Sequence, residues 1–462
     1  MSIGKLTPLG MRTLGAYIGM ALLLILIGFL QSWSVALVLV NLCLISAIMA
    51  LGVNIQWGYA GLFSAGTVGF AALGGLAGVL ISEAPIPEAW SAGGFNVLMS
   101  AAVLAVLIAA IFVILAVMAP GRARKIVLTL TVLVGYFVVR QFFDAGTDAI
   151  ESVDPALMGF LGGLNLPIIL SWPVGGLLAA LVAWGIGKIA LGLRADYLAI
   201  ATLGIGEIVI AVIKNEEWLA RGVKNVSGLD RPVPKEIALQ EADWFVGWVE
   251  WIHSSALQGV SGDARLDMLR GFAQYDAGIA VKLCYAVLFT AVLVCLFVLA
   301  QKALNSPWGR MMRAIRDNEV AAEAMGKDVT KRHLQTFILG SAVIGIAGAM
   351  LTTLDGQFTP GTYNPLRYTF LIWVMVIVGG SGNNHGSVIG GFLIWFAWVQ
   401  AEPAGAFVLD LLTAGLAEDN PVREHLLGAA AHMRPLLMGL VLLLAMRFSP
   451  KGILPEPVRA DR

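Results

Sequence analysis

The chain has 462 residues, of which 58% are hydrophobic and 13% charged, with a mean hydropathy of +0.83. Soluble domains carry nearer ~25% charged residues because a water-facing surface needs them; this composition excludes a soluble enzyme and points to an all-α, polytopic transmembrane bundle. Lys plus Arg and Asp plus Glu balance at 30 each, so no net field recruits nucleic acid or acidic substrates.

The 53 glycines suit membrane helices whose backbones approach closely. Cys43, Cys284 and Cys295 all sit in apolar stretches and read as small buried hydrophobes, not as a disulfide or metal set. Lys5 and Arg12 precede the first apolar run, which reads as a retained span because no small-residue cleavage site follows.

About 20 apolar residues cross a bilayer. In chain order the candidate spans are 14–31, 34–53, 60–81, 97–119, 126–143, 166–187, 197–213, 278–300, 335–354, a broken pair 368–380 and 386–399, and 435–449. Basic residues mark cytoplasmic loops: Arg122, Arg124 and Lys125, then Lys188 with Arg194, then 302–334, then the tail with Lys451, Arg459 and Arg462. Acidic stretches fall outside: Glu83 to Glu88; Asp144, Asp148, Glu151 and Asp154; and 400–434 with Glu402, Asp410, Glu418, Asp419 and Glu424 against Arg423. The alternation places both termini in the cytoplasm and closes if the broken pair crosses or re-enters, giving roughly 10–12 spans in one domain covering 1–462.

Between the second and third spans, Asn54, Gln56, Tyr59, Ser64 and Thr67 put polar groups where they cost free energy unless paired. They either line a translocation path or bond helix to helix, with glycine contacts at Gly58, Gly61, Gly66 and Gly69. Ionisable residues inside spans are few: Arg140, Glu207 and, near an outer edge, Lys282. Arg140 and Glu207 lie at depths differing by about 6 Å, which predicts a structural ion pair. The extracytoplasmic insertion 214–277 carries Trp244, Trp248 and Trp251 at helical spacing beside His253, the pattern of an interfacial amphipathic helix, with receptor docking as the other reading.

In the cytoplasmic segment 302–334, Ser306-Pro307 is an N-cap followed by a proline suited to the first helical position. Trp308, Met311, Met312, Ile315, Ala322 and Met325 recur every three or four residues, predicting an amphipathic helix or a bent pair, with Gly326 as a C-terminal cap. The polar side holds Arg310, Arg313, Arg316, Asp317, Glu319 and Glu323. A helix exposing both charge signs and an apolar stripe fits docking into a partner's groove. Further on, Gly382, Gly386 and Gly390 recur at four-residue intervals, and glycine, serine and Asn383 break the helix around His385. Non-helical backbone at membrane depth survives only inside protein or against a water-filled cavity, so Gly382, Asn383 and Gly386 are candidate path residues, with tight helix packing as the alternative. His385 reads as a satisfied hydrogen-bonder rather than a ligand.

The stretch from Ser306-Pro307-Trp308-Gly309-Arg310 through Arg313-Ala314-Ile315-Arg316-Asp317-Asn318-Glu319 and Ala321-Ala322 to Gly326 resembles the ATPase-contacting loop of branched-chain amino-acid ABC permeases, specifically of the LivM type. Asn54 to Ser64, Arg194 to Gly204, Gly379 to Gly391 and Phe448 to Ile453 are similar to other stretches of that family, in the same order. The resemblance implies a second homologous permease, two cytoplasmic ATPases that use ATP with magnesium, and a periplasmic binding protein, all at a bacterial inner membrane. It also implies a coupling helix at 307–326, with Arg310, Arg313, Arg316, Asp317, Glu319, Ala322, Glu323 and Gly326 at the ATPase interface. The chain itself shows no Walker A pattern; Lys188 is followed by Ile189 and the spacing is wrong. No catalytic residue, metal site or bound cofactor is therefore expected. Branched-chain amino acids lead as substrate, with other amino acids, amides or urea as alternatives. An ion-coupled secondary transporter is disfavoured because Glu207 is an isolated acid.

Overall fold

The computed structural model describes residues 8–154, 158–417 and 420–456. Lys5, Glu418, Asp419, Arg459 and Arg462, used above to assign sidedness, lie outside the described residues. The helices in chain order are α1 (Pro8–Leu30), α2 (Trp33–Val53), α3 (Thr67–Ser82), α4 (Phe95–Val117), α5 (Arg122–Glu151), α6 (Ser171–Ala190), α7 (Ala195–Asn215), α8 (Glu236–Gln240) and α9 (Asp243–Ile252). They continue as α10 (Asp263–Asn305), α11 (Pro307–Asp317), α12 (Glu319–Ala324), α13 (Val329–Asp355), α14 (Leu371–Gly379), α15 (Asn384–Thr413), α16 (Pro421–Gly428) and α17 (Met433–Phe448). Among the described residues, ten helical stretches are long and apolar enough to cross a membrane, and Thr67–Ser82 and Leu366–Gly379 are shorter apolar helices.

The twelve segments sort their connections onto two ends. One end brings the Gly61 backbone against the Arg316 side chain and gathers Leu193, Leu198, Ile315, Glu319 and His333 around one small cavity. The other holds an antiparallel pair of two-residue strands, β1 (Val226–Ser227) and β2 (Gln357–Phe358), in the register Val226 with Phe358. Leu161 N also bonds Trp218 O there, and Leu164 N bonds Leu80 O. The first end carries the basic loops and is cytoplasmic by the positive-inside rule. Segment 366–379 starts near β2 and ends beside Arg316, so the broken pair crosses twice and the alternation closes.

Three boundaries run past the sequence reading, and a fourth falls short of it, since the third span, expected over 60–81, becomes helical only at Thr67. Residues 263–277 are the outward extension of α10, whose 43 residues reach about 65 Å against a hydrocarbon core of ~30 Å. Residues 400–413 continue α15, and Asp144, Asp148 and Glu151 belong to α5. The physical reason is common to all three: hydropathy falls where the bilayer ends, whereas helical hydrogen bonding continues past it. Cys284 and Cys295 are also corrected, since both are exposed on α10 and only Cys43 is buried.

The centre of the bundle is built on glycine. A Cβ on Gly74 would sit 1.9 Å from Gly345 O, and one on Gly348 would sit 2.0 Å from Ala71 O. Helices α3 and α13 can therefore touch backbone to backbone only because those side chains are absent. α6 joins the same layer, with Gly175 against Gly74 and Gly176 against Ile346. In the extracytoplasmic segment, α9 buries Phe245 and Val249 and turns Trp244, Trp248 and Trp251 outward, which is the amphipathic helix predicted there. His253 bonds Asp276 at 2.9 Å and stacks on Phe272, tying this segment to α10.

Candidate functional site at the cytoplasmic end

The segment after α10 forms α11 and α12 because its two caps are satisfied. Ser306 Oγ accepts from Gly309 N at 3.4 Å with Pro307 at the first helical position, and Asn318 Oδ1 accepts from Ala321 N at 2.9 Å to start α12. Gly326, at φ +75°, ends the pair in a left-handed conformation that suits glycine. Met312 and Ile315 are buried, Trp308 Nε1 donates to Gln335 on α13 at 3.3 Å, and the apolar stripe from Trp308 to Ala322 thus faces the bundle; Met325, read above as part of that stripe, is turned outward because α12 ends at Ala324 before it. Arg310, Asp317, Glu319, Glu323 and Gly326 are exposed, with Val320 and Met325 among them at 77% and 79%.

Arg313 and Arg316 do not belong to that exposed face. Arg316 Nη2 pairs with Glu456 Oε2 at 2.8 Å, Arg313 Nη1 lies 3.8 Å from Glu456 Oε1, and Arg316 Nη1 donates to Gly58 O. Ala322 is likewise half-buried against the bundle. Glu456 is delivered by the C-terminal strap after α17, whose Ile453 N and Leu454 N donate to Val378 O and Gly379 O at 2.8 and 3.0 Å. Asn383 Nδ2 donates to Leu454 O and Pro455 O at 3.2 and 3.1 Å while its Oδ1 caps α15. The strap therefore ties α11 to the helix break, and neither Glu456 nor this linkage was signalled by any motif beyond the terminal Ser449-Pro450-Lys451-Gly452 run.

The break itself lies at the cytoplasmic end beside Arg316, not at mid-membrane. A Cβ on Gly382 would meet Glu456 Oε2 at 2.8 Å and Arg316 Nη1 at 3.1 Å. Gly386 and Gly390 serve close packing: a Cβ on Gly390 would sit 1.9 Å from Met375 O. In this conformation Gly386 and Gly390 fit the packing alternative, the α14–α15 backbones leaving no side-chain volume between them, whereas Gly382 faces Glu456 and Arg316 and Asn383 holds the strap. His385 is hydrogen-bonded through Nδ1 to Tyr17 at 3.2 Å, as a satisfied histidine should be.

The polar residues of 54–67 are all fully buried. Asn54–Gly58 is a wide π-helical turn. Asn54 Oδ1 accepts from Gly382 N at 2.8 Å and its Nδ2 donates to Asn384 Oδ1 at 3.0 Å. Tyr59 donates to the same Asn384 oxygen, and Asn384 Nδ2 donates to Gln301 at 2.8 Å. Gln56 bonds Phe337 O and Ser341 on α13; Thr67 bonds Tyr368 O at 2.6 Å; Trp373 Nε1 donates to Ser64 O at 3.0 Å. In this conformation the set is a hydrogen-bonded clamp joining α2, α10, α13 and the break.

The Arg140–Glu207 ion pair does not form. Arg140 Nε bonds Asp144 at 2.8 Å and Nη1 bonds Tyr136 at 3.0 Å, both one turn away on α5, while Glu207 is exposed on α7. Equal depth is necessary for a pair but not sufficient; the two helices are not neighbours in the bundle. Lys282 donates to Ser34 Oγ. Behind α11 a cavity of about 160 Å³ opens between Gly61, Leu193, Leu198, Arg316 and His333. The larger grooves, about 610 and 470 Å³, lie on the aliphatic face of α4 and α5 and hold no chemistry.

Residues 152–446 match the family described as branched-chain amino acid transport system, permease component. The chain is 26% identical over 330 residues to a probable branched-chain amino acid transport permease protein LivM of Methanocaldococcus jannaschii, covering 70% of this chain and 78% of that one. It is 27% identical over 267 residues to the high-affinity branched-chain amino acid transport system permease protein LivM of Escherichia coli, and this match spans only 58% of each. A probable LivH permease of Methanocaldococcus jannaschii is 33% identical over 102 residues, covering 22% of this chain and 30% of that one. No solved structure matches. With ten helices among the described residues long and apolar enough to cross a membrane and the family match over more than half its length, the chain belongs to the branched-chain amino acid transport permeases and is a multi-pass membrane protein of the LivM type.

Proposed function

We propose that this chain is one of two permease subunits of an ATP-driven importer of branched-chain amino acids in a bacterial inner membrane. Two cytoplasmic ATPases drive it and a periplasmic binding protein feeds it. The observation that carries the reading is the α11–α12 pair, which buries its apolar stripe and offers Arg310, Asp317, Glu319, Val320, Glu323 and Met325 to the cytoplasm. The inner arginines couple that surface to the bundle. A push on α11 is borne by Arg316, which holds the Gly58 carbonyl and Glu456, and through the strap by Asn383 and the start of α15. The relatives' names support the substrate class and, through LivH, a second permease.

The test is reconstitution of the chain with a LivH-type permease, ATPases and binding protein in liposomes, followed by radiolabelled leucine uptake. ATP-dependent uptake is expected, and Val320→Asp/Met325→Asp should abolish ATPase binding while insertion stays intact. Uptake by the chain alone on an ion gradient, or ATPase binding indifferent to that double substitution, overturns the reading.

A further inference from the structure

Arg367 lies in the π-helical turn Leu366–Phe370 that begins α14, level with Trp395, which stands eleven residues into α15. The turn is fixed from below: Thr67 Oγ1 donates to Tyr368 O at 2.6 Å, and Thr369 Oγ1 donates to Ala65 O at 3.1 Å. Two aromatic rings flank the Arg367 guanidinium, Tyr368 at 5.3 Å and Trp395 of α15 at 4.9 Å from ring centroid to Cζ. Tyr368 and Trp395 are 2% and 4% exposed.

This trio carries an excess of unused donors. Arg367 Nε, Tyr368 Oη and Trp395 Nε1 are each buried without a hydrogen-bond partner. Among the described residues no carboxylate bonds Arg367; Asp355, at the end of α13, acts on it only through space. A buried donor left unpaired loses its hydration without replacement, so three on residues in mutual contact need an explanation. Cation–π contact stabilises the charge but occupies none of the N–H or O–H groups. An arginine inside a membrane-spanning segment is a functional candidate by default.

The donor set has the chemistry of an anion site, since a guanidinium with further N–H and O–H donors complements a carboxylate. We propose that Arg367, Tyr368 and Trp395 form an acceptor for the α-carboxylate of the transported amino acid within the membrane-spanning bundle. α14 then connects this acceptor to the break at Gly379–Gly382, about 20 Å away along the helix, where the strap and Arg316 converge. The choice of an amino acid as ligand rests on the importer reading; the choice of a carboxylate rests on the donors.

The test uses the full chain in lipid nanodiscs and saturation-transfer NMR with two probes, L-leucine and L-leucinamide, which differ at the carboxylate. Leucine should bind and leucinamide should bind about tenfold more weakly, because the amide cannot satisfy the cation. Arg367→Gln should erase the difference. Tyr368→Phe and Trp395→Phe keep the rings, remove one donor each, and should weaken leucine several-fold without changing thermal stability. Equal binding of the two probes, or leucine selectivity unchanged in Arg367→Gln, overturns the site. So does an Arg367→Gln variant that keeps selectivity but no longer co-purifies with the second permease, since the missing carboxylate would then be the partner's. Absent ATP-driven uptake by the wild-type complex would remove the importer reading, while the probe difference in nanodiscs would still decide the site.

Discussion

The α4–α5 hairpin and the α3–α6–α13 layer are both built from apolar sequence and behave oppositely. In the most apolar stretch of α13, 72% of residues are buried, against 6% in the stretch ending in α4 and none in α5. The hairpin meets its polar needs locally, as Arg140 does with Asp144 one turn along. The layer meets them across the chain, as Trp172 of α6 does with Thr353 of α13 and Gln56 with Ser341 of α13. A lipid-facing helix has no fixed neighbour to bond, so its charges must find partners on the same helix; a central helix has neighbours on every side. Apolar content therefore says that a helix sits in the membrane, and small residues say whether it sits in the middle of the bundle.

The largest expected effect breaks the layer. Gly348→Val would drive a side chain into Ala71 O, where even a Cβ comes to 2.0 Å; backbone cannot yield, and membrane accumulation should collapse, as read by fluorescence-detected size exclusion. Gly135→Ala on α5 meets only the tip of Leu107, at 2.3 Å, and should shift the melting midpoint far less, because a side-chain end can rotate away at a cost within the ~1–3 kcal/mol of ordinary overpacking. Equal losses from the two would erase the distinction.

Next in size is Glu456→Gln, which removes the counter-charge of Arg313 and Arg316. Uptake of leucine should fall about tenfold, equivalent to ~1.4 kcal/mol, with ATPase binding retained; lost binding would place Glu456 at the ATPase surface instead. A smaller effect is expected in the hairpin. Asp144→Asn should cost the short-range support of Arg140, of the ~0.3–0.5 kcal/mol order of helix pairs. The Arg140→Glu/Glu207→Arg double variant should recover nothing over the single variants. Recovery of transport would restore a pairing that the bundle does not contain.

The smallest effect lies where the two regions meet, just beyond α3. Burial and then Asp230 raise the Glu83 carboxyl above its ordinary value, with Arg221 opposing. A raised acid binds its proton more readily in the folded state, so its contribution is favourable at low pH and is lost as pH rises through the raised value. Glu83→Gln should accordingly flatten the decline of the melting midpoint as pH rises above the unperturbed carboxylate range of about 4. A steeper decline would reverse the sign.

Much of this was legible in order along the chain. Crossing segments, sidedness, the Ser306 cap, the bent α11–α12 pair and the outward tryptophans of α9 follow from hydropathy, basic loops and helical periodicity, which are properties of neighbouring residues. Helix ends were less legible, since α10 and α15 run on beyond the bilayer without any change that hydropathy registers. Arg367 was missed because it stands one residue before the apolar run starting at 368, so it read as loop; its signal was an arginine between a proline-led turn and an aromatic pair.

What the sequence by itself determined is therefore the list of helices, the side of the membrane each connection occupies, and the presence of an amphipathic element on the cytoplasmic side. Only the tertiary structure decided that Arg313 and Arg316 turn inward to Glu456, that the glycine break rests at the cytoplasmic end, and that Arg140 ignores Glu207. The reason is separation along the chain. Arg316 and Glu456 are 140 residues apart, and no local periodicity encodes which of several helices at the same depth become neighbours. That choice is made where glycines allow backbones to touch, and it is made by the packing as a whole.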